Sequence, residues 1–356
     1  MASGSSSSGQ AEVVCVFDMI ATSFGIQGPR WQLQLRVHGN QSPLPPFVAT
    51  ESGVGVRLDV GGLLPRVVSK RGADIVDGRG GLLVLRERSK KFWELNLVLC
   101  SPLERSYRRL PPVNISRYDM ACAAFVPLQG VGFRVAVVLF GGADDLSRYA
   151  VLVYDSASAP PAWKVTTGSR QRGERHYNAH EGPSVVVGDV VYSLQDEHIM
   201  VVDTTKMTMS VLPEPVARPD WLIEGDHWIG KTEDGRLCFF VFHDYKPLLV
   251  ARWALGADSK WTPQQPLWLP PELHGEKLTT EISSSSKRVR FAGFCEGSRM
   301  LFFVMDDWVV PFDIETLEME RLWCCDTDEP RRLGGLSKVY PYEMLPWPPM
   351  LKDFAH

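Results

Sequence analysis

From about residue 60 onward the chain is a succession of short runs of four to eight residues rich in Val, Leu and Phe, each closed by Gly, Pro, Asp or Asn. That punctuation reads as strands and turns, and helical periodicity is hard to find. The runs recur on one plan: a turn with Gly or Asp-Gly, an apolar strand, a second strand ending on a polar or acidic residue, and a strand closing on Trp or Leu and often Pro. The copies are VDGRGGLLVL (76–85) with LNLVLCSPLERSYRRLPP (95–112), VAVVLFGG (135–142) with YAVLVYDSASAPPAWKV (149–165), and VVVGDVVYSL (185–194) with IMVVDTTKMTMSVLP (199–213). They continue as EDGRLCFFVF (233–242) with LLVARWALGADSKWTPQQPLWLP (248–270), and CEGSRMLFFVM (295–305) with VVPFDIETLEMERLW (309–323).

Taking Leu110, Val165, Leu212, Leu269 and Leu322 as equivalent positions gives intervals of 55, 47, 57 and 53 residues. A period of that size, filled by about four short strands, is the range of a β-propeller. The physical reason is that a four-stranded antiparallel blade cannot bury both faces alone, so blades stack radially and cover one another. The 287 residues from 60 to 346 hold five to six such units. The expectation is an all-β chain, a β-propeller of about six four-stranded blades, with residues 1–12 a disordered Ser/Gly tail and 347–356 a C-terminal tail. Residues 13–59 are an N-terminal segment whose runs at 13–20 and 31–37 complete a blade.

Two hairpins have readable mechanics. In VVDTTKM the strand ends at Asp203, whose carboxylate can bond the turn backbone through Thr204 and Thr205 before the next strand starts at Met207; Asp313 and Thr316 repeat the logic. VVLFGG, with Tyr154 and Trp163 downstream, resembles one kelch repeat.

The 356 residues are 44% hydrophobic, enough for a packed core. With 38 Lys+Arg against 42 Asp+Glu there is no basic footprint for nucleic acid. The longest apolar runs, such as VAVVLF, fall far short of the roughly 20 residues of a membrane span. Seven scattered cysteines do not form a disulfide framework, which points to a reducing compartment, cytoplasmic or nuclear; the chain is expected to be a monomer.

In their order, these hairpins resemble the β-propeller region of plant F-box proteins, particularly the large grass set. The matching segments are VVDGRGGLLVL with NLVLCSPLERSYRRLPP, EGPSVVVGDVVYSL with IMVVDTTKMTMSVLP, and KRVRFAGFCEGSRMLFFVMDDWVVPFDIETLEMERL followed by VYPYEMLPWPP, together covering roughly residues 44–349. The resemblance implies a non-catalytic module that recruits protein substrates to a ubiquitin ligase. Family members open with a helical F-box that docks on the ligase adaptor; residues 1–43 lack its Leu-Pro start and three-helix pattern. The resemblance thus implies an F-box that is missing or degenerate, with 13–59 as a truncated or degenerate F-box region if its strands do not complete a blade, and adaptor binding is not expected here. The alternative is a small-molecule binder or enzyme using the propeller channel.

The most suggestive loop is GSRQRGERHYNAHEGPS (168–184). His176 and His180, with Glu181 adjacent, have the spacing of two zinc ligands on a helix, but Gly173, Gly182 and Pro183 argue for a loop, and no third His or Cys lies nearby in sequence. Arg170, Arg172 and Arg175 beside Tyr177, with His176 and His180, are instead candidates for gripping a partner surface. Trp221 and Trp228 are further candidates as anchors, against the reading that such aromatics wedge between blades. No metal, cofactor or catalytic residue is expected, since no nucleophile elbow, phosphate loop or dinucleotide fingerprint occurs.

Overall fold

The computed structural model describes residues 12–16, 47–50, 57–58, 323–324 and 339–343 and, with short interruptions, 73–169, 184–215, 227–269 and 290–319. All regular structure among them is β, and the sheets are antiparallel throughout. Strands β1 (Glu12–Val16), β2 (Phe47–Thr50) and β3 (Arg57–Leu58) come first. The first blade is β4 (Ala73–Arg79), β5 (Leu82–Glu87), β6 (Glu94–Ser101) and β7 (Ser106–Arg109), with β8 (Val113–Asn114) also pairing β6. The second is β9 (Tyr118–Pro127), β10 (Phe133–Gly141), β11 (Arg148–Asp155) and β12 (Ala162–Ser169). The third is β13 (Ser184–Val187), β14 (Val190–Leu194), β15 (His198–Asp203) and β16 (Thr208–Pro213). The fourth is β17 (His227–Lys231), β18 (Leu237–His243), β19 (Leu249–Leu255) and β20 (Trp261–Trp268). The fifth is β21 (Arg290–Phe294), β22 (Met300–Met305), β23 (Trp308–Asp313) and β24 (Trp323–Cys324). Finally β25 (Val339–Glu343) pairs β1 in a four-stranded sheet of order β25, β1, β2, β3.

Within each of the five blades the strands pair in chain order, and the first strand of one touches the first strand of the next: β4 with β9, β9 with β13, β13 with β17, β17 with β21. β25 touches both β21 and β4. This radial stacking of four-stranded meanders is a β-propeller.

Side-chain alternation explains why the sequence runs are apolar at nearly every position. In the second blade Phe125, Val135, Val137, Leu152 and Tyr154 face the first blade's Val84, Leu97 and Leu99. Their sequence neighbours Ala124, Val126, Ala136, Val138, Val151 and Val153 face the third blade's Val186, Val191, Met200 and Val202. A strand with successive residues on opposite faces must be apolar at both parities when both faces are covered. Each such Val, Leu or Phe contributes about 1.5–3 kcal/mol on burial. The seams between third and fourth, and fourth and fifth, blades are built the same way around Phe239 and around Phe303 and Phe312.

The recurrent Trp and Pro at the last strands have a mechanical role. Trp163 of the second blade donates its indole N–H to the Pro111 carbonyl at the end of the first blade, 2.7 Å away; Trp261 of the fourth does the same to Pro213 of the third at 2.9 Å. Of the repeat positions chosen from sequence, Val165 and Leu212 lie in β12 and β16, Leu110 and Leu269 directly follow β7 and β20, and Leu322 lies outside the described residues. The Asp turns form, with the first set one residue later than expected: Asp203 Oδ1 accepts from the N–H groups of Thr205 and Lys206 at 3.0 and 2.9 Å, the Thr204 N–H donates to the Asp189 carbonyl instead, and the next strand starts at Thr208. Asp313 Oδ1 accepts from Glu315 and Thr316 at 2.7 and 3.1 Å. Each turn then passes through a left-handed residue, Met207 (φ 59°) or Leu317 (φ 61°).

Candidate functional site

The first strands of three blades carry a register shift against the second: at Val76 in β4, at Ala121 in β9 and at Ala292 in β21. An extra residue in one strand bends it and re-aims the side chains that follow. The bulge at Val76 precedes Asp77, which sits at the centre of a charged cluster where the first strands converge. Asp77 Oδ2 accepts from the Phe125 backbone N–H in β9 at 2.7 Å and from Arg79 Nε at 2.9 Å. Arg79 Nη2 donates to the Ser184 carbonyl and, at 3.1 Å, to Ser184 Oγ in β13. Arg79 Nη1 pairs with Glu296 Oε1 just after β21, and Glu296 Oε2 pairs with Lys231 Nζ at the end of β17.

Five blades thus contribute to one network of two cations and two carboxylates with no net charge. Its members are largely out of water, with side-chain exposures of 7% for Asp77, 12% for Arg79, 22% for Glu296 and 23% for Lys231. Both oxygens of Glu296 and all three guanidinium nitrogens of Arg79 are engaged. Chemically this is a tie across the ring. A smaller tie joins the second and third blades, where Arg134 meets Asp155, Asp189 and Thr205, each at 3.1 Å.

Of the residues singled out from sequence, Arg170, Arg172, Arg175, His176, Tyr177, His180 and Trp221 lie outside the described residues. Trp228 requires a correction. It is 8% exposed and packs against Phe291, ring centroids 6.4 Å apart, in the seam between the fourth and fifth blades. A side chain buried there is a wedge and is not presented to a partner. Asp77, Arg79, Lys231 and Glu296 were missed because each lies in or just after the last residues of a first strand, beside a Gly or acidic turn, and passes for hairpin punctuation. Their only sequence signal is charge recurring at the first turn of successive copies. Among the described residues no three His, Cys, Asp or Glu side chains are grouped to hold a metal ion, and no helix is long and apolar enough to cross a membrane.

No family model and no curated protein sequence matches the chain. Solved structures do superpose on it. A candidate 6-phosphogluconolactonase from Bacteroides fragilis is 11% identical, over 95% of this chain and 99% of that one, with a TM-score of 0.43. A Lactobacillus plantarum protein is 14% identical, over 84% of this chain and 82% of that one, at 0.42. An exo-β-1,3-galactanase from Phanerochaete chrysosporium, solved with β-1,3-galactotriose, is 12% identical, over 70% of this chain and 62% of that one, at 0.37. Likenesses of this size transfer no activity, and the chain's own sheet order is what identifies it as a β-propeller.

Proposed function

We propose that the chain is a non-catalytic protein-binding propeller that works like the substrate-recognition region of plant F-box proteins. The observation that carries this reading is the self-paired network around Arg79: the charges that converge at the ring's centre are spent on one another, so recognition falls to the loops that join the strands. The segment between β12 and β13, read from sequence as a loop and carrying Arg170, Arg172, Arg175 and Tyr177, is the proposed gripping surface. The sheet of β25 with β1, β2 and β3 is read as a sixth blade, closed by strands from both ends of the chain. The second blade is read as kelch-like, its Tyr154 ring meeting Trp163 edge-on at 5.5 Å. Cys100, Cys122, Cys238 and Cys295 are free and buried, in keeping with a cytoplasmic or nuclear protein.

The test is affinity purification of the full chain against an R170A/R172A/R175A variant, with the purified ligase adaptor in a separate binding assay. Proteins held by the parent chain and lost from the variant support the reading. An unchanged set removes the loop from recognition, and direct adaptor binding by residues 1–60 overturns the absence of an F-box.

A further inference from the structure

The seam between the fourth and fifth blades is apolar around Phe242, Phe303 and Phe312, but toward the hairpins it opens into a cavity of about 580 Å³. Its walls carry four cations, Lys231, Arg236, Arg252 and Arg299, against two carboxylates, Glu233 and Asp234, and Asp234 is taken up by Arg236 at 2.6 Å. The volume lies in the range of pockets that hold small ligands.

Arg252 breaks the pattern of the repeat. Trp163 opposes Tyr154 in the second blade and Trp261 opposes Leu255 in the fourth, so Arg252 occupies the strand position of Val151; aligning the turn acids Asp155 and Asp203 places Ile199 there in the third. Val151 and Ile199 are each 0% exposed. A guanidinium at a site that elsewhere takes an aliphatic core residue is a local rule broken, and such breaks mark function. The backbone is adapted to it. β20 carries a register shift opposite Val250 and Arg252, and Arg252 Nε donates to the Gln265 carbonyl within that bulge at 2.6 Å. Bulges are enriched beside binding sites because they re-aim side chains.

Arg252 pairs with no carboxylate among the described residues. Arg299, which projects from a left-handed position (φ 58°), pairs at its Nη1 with Glu315 and, more distantly at 3.7 Å, with Glu233, while its buried Nε has no hydrogen-bond partner. Burial, together with the like charge of Arg299, pulls Arg252 below the usual guanidinium range. A part-buried guanidinium without a carboxylate, beside a second whose buried Nε has no hydrogen-bond partner, is costly unless an anion completes the pair. Cys238 offers no nucleophile, since burial pushes its thiol up to about 12 and keeps it protonated.

We infer that this cavity binds an oxyanion, a carboxylate or phosphate group, clasped by Arg252 and Arg299. The site stands independently of the loop recognition proposed above and needs no protein partner. Planar guanidinium forks match both oxyanions.

The full chain is titrated calorimetrically with inorganic phosphate and with succinate, alongside R252Q, R299Q and, as a control for general positive charge, R134Q. One saturable site is expected in the parent chain and in R134Q. It is weakened roughly tenfold to a hundredfold in R252Q and R299Q, as loss of a charged hydrogen-bonding group implies. Should R252Q fail to fold, R252K keeps the charge without the fork and is expected to weaken binding in the folded protein. Absence of saturable binding by the parent chain, or equal affinity in all variants, overturns the inference. Free O-phosphoserine compared with phosphoserine inside a short flexible peptide separates a small-molecule source from a side chain of a larger partner, and preference for either supports the site.

Discussion

Asp77→Ala is the sharpest probe of the tie at the ring's centre. The carboxylate, 7% exposed, accepts from the Phe125 N–H and from Arg79 at once. Its removal orphans a backbone donor in a residue that is 1% exposed, which costs about 1–3 kcal/mol. It also takes one of two carboxylates from Arg79. Breaking a buried pair outright costs about 3–5 kcal/mol, but Arg79 keeps Glu296 and Ser184, so the charge contribution is the smaller part and the total is about 3 kcal/mol. Asp77→Asn separates the two effects: its side-chain oxygen still accepts from Phe125 N–H, and only the charge is lost, for about 1–2 kcal/mol. Urea unfolding followed by far-UV circular dichroism reads both, with comparison restricted to variants of unchanged slope. Equal effects of the two substitutions, or both within about 0.5 kcal/mol of the parent, would refute the role given to Asp77.

Other expectations follow from single positions. In Gly230→Ala the new Cβ would lie 2.8 Å from the rings of Phe240 and Phe294, so overpacking lowers the unfolding midpoint by the equivalent of about 1–3 kcal/mol. Leu317→Gly relieves a left-handed backbone at a residue 44% exposed and raises stability by up to about 1 kcal/mol in the same assay. Trp261→Phe removes the bond to Pro213 across the third seam and costs about 1 kcal/mol, read by thermal melting. Burial pushes the Cys100 and Cys238 thiols from 9.0 up to about 12. The native chain keeps protons that the unfolded chain releases, so their contribution is complete below pH 9 and is lost as pH rises from 9 toward 12. Denaturant midpoints of the parent should fall over that window, less steeply in C100A/C238A, and a flat profile in the parent contradicts the burial.

Much of the fold was legible because it rests on local chemistry. Runs apolar at both parities, as in VAVVLF, announce strands covered on both faces, and Asp203 and Asp313 announce their turns through the side chain that caps them. The seams followed from the same pattern. The charged centre did not, because Arg79 meets Glu296 across 217 residues of chain, and a contact of that range leaves no trace in periodicity. Trp228 was open from sequence because a Trp beside acidic residues and Gly can be an exposed anchor, although wedging between blades is the commoner role of such aromatics; it packs against Phe291. Arg252 carried a signal that went unused, a single cation interrupting LLVARWAL where the other copies stay apolar. A repeat reveals function where one copy departs from the others.

Closure of the ring by the two ends of the chain underlies both the placement of the charged centre and the sixth-blade reading. In β1 and β25 the register sets Cys15 opposite Tyr340. Directly opposed residues of antiparallel strands have Cβ atoms about 4.5–5.5 Å apart, near enough for a disulfide after small adjustment. Tyr340→Cys in the full chain, mildly oxidised and mapped by peptide mass spectrometry, tests the pairing directly. An intrachain disulfide from Cys15 to the substituted position, forming in the native state and raising the unfolding temperature, is the predicted result. No cross-link to Cys15, or one formed only between two chains, would contradict ring closure.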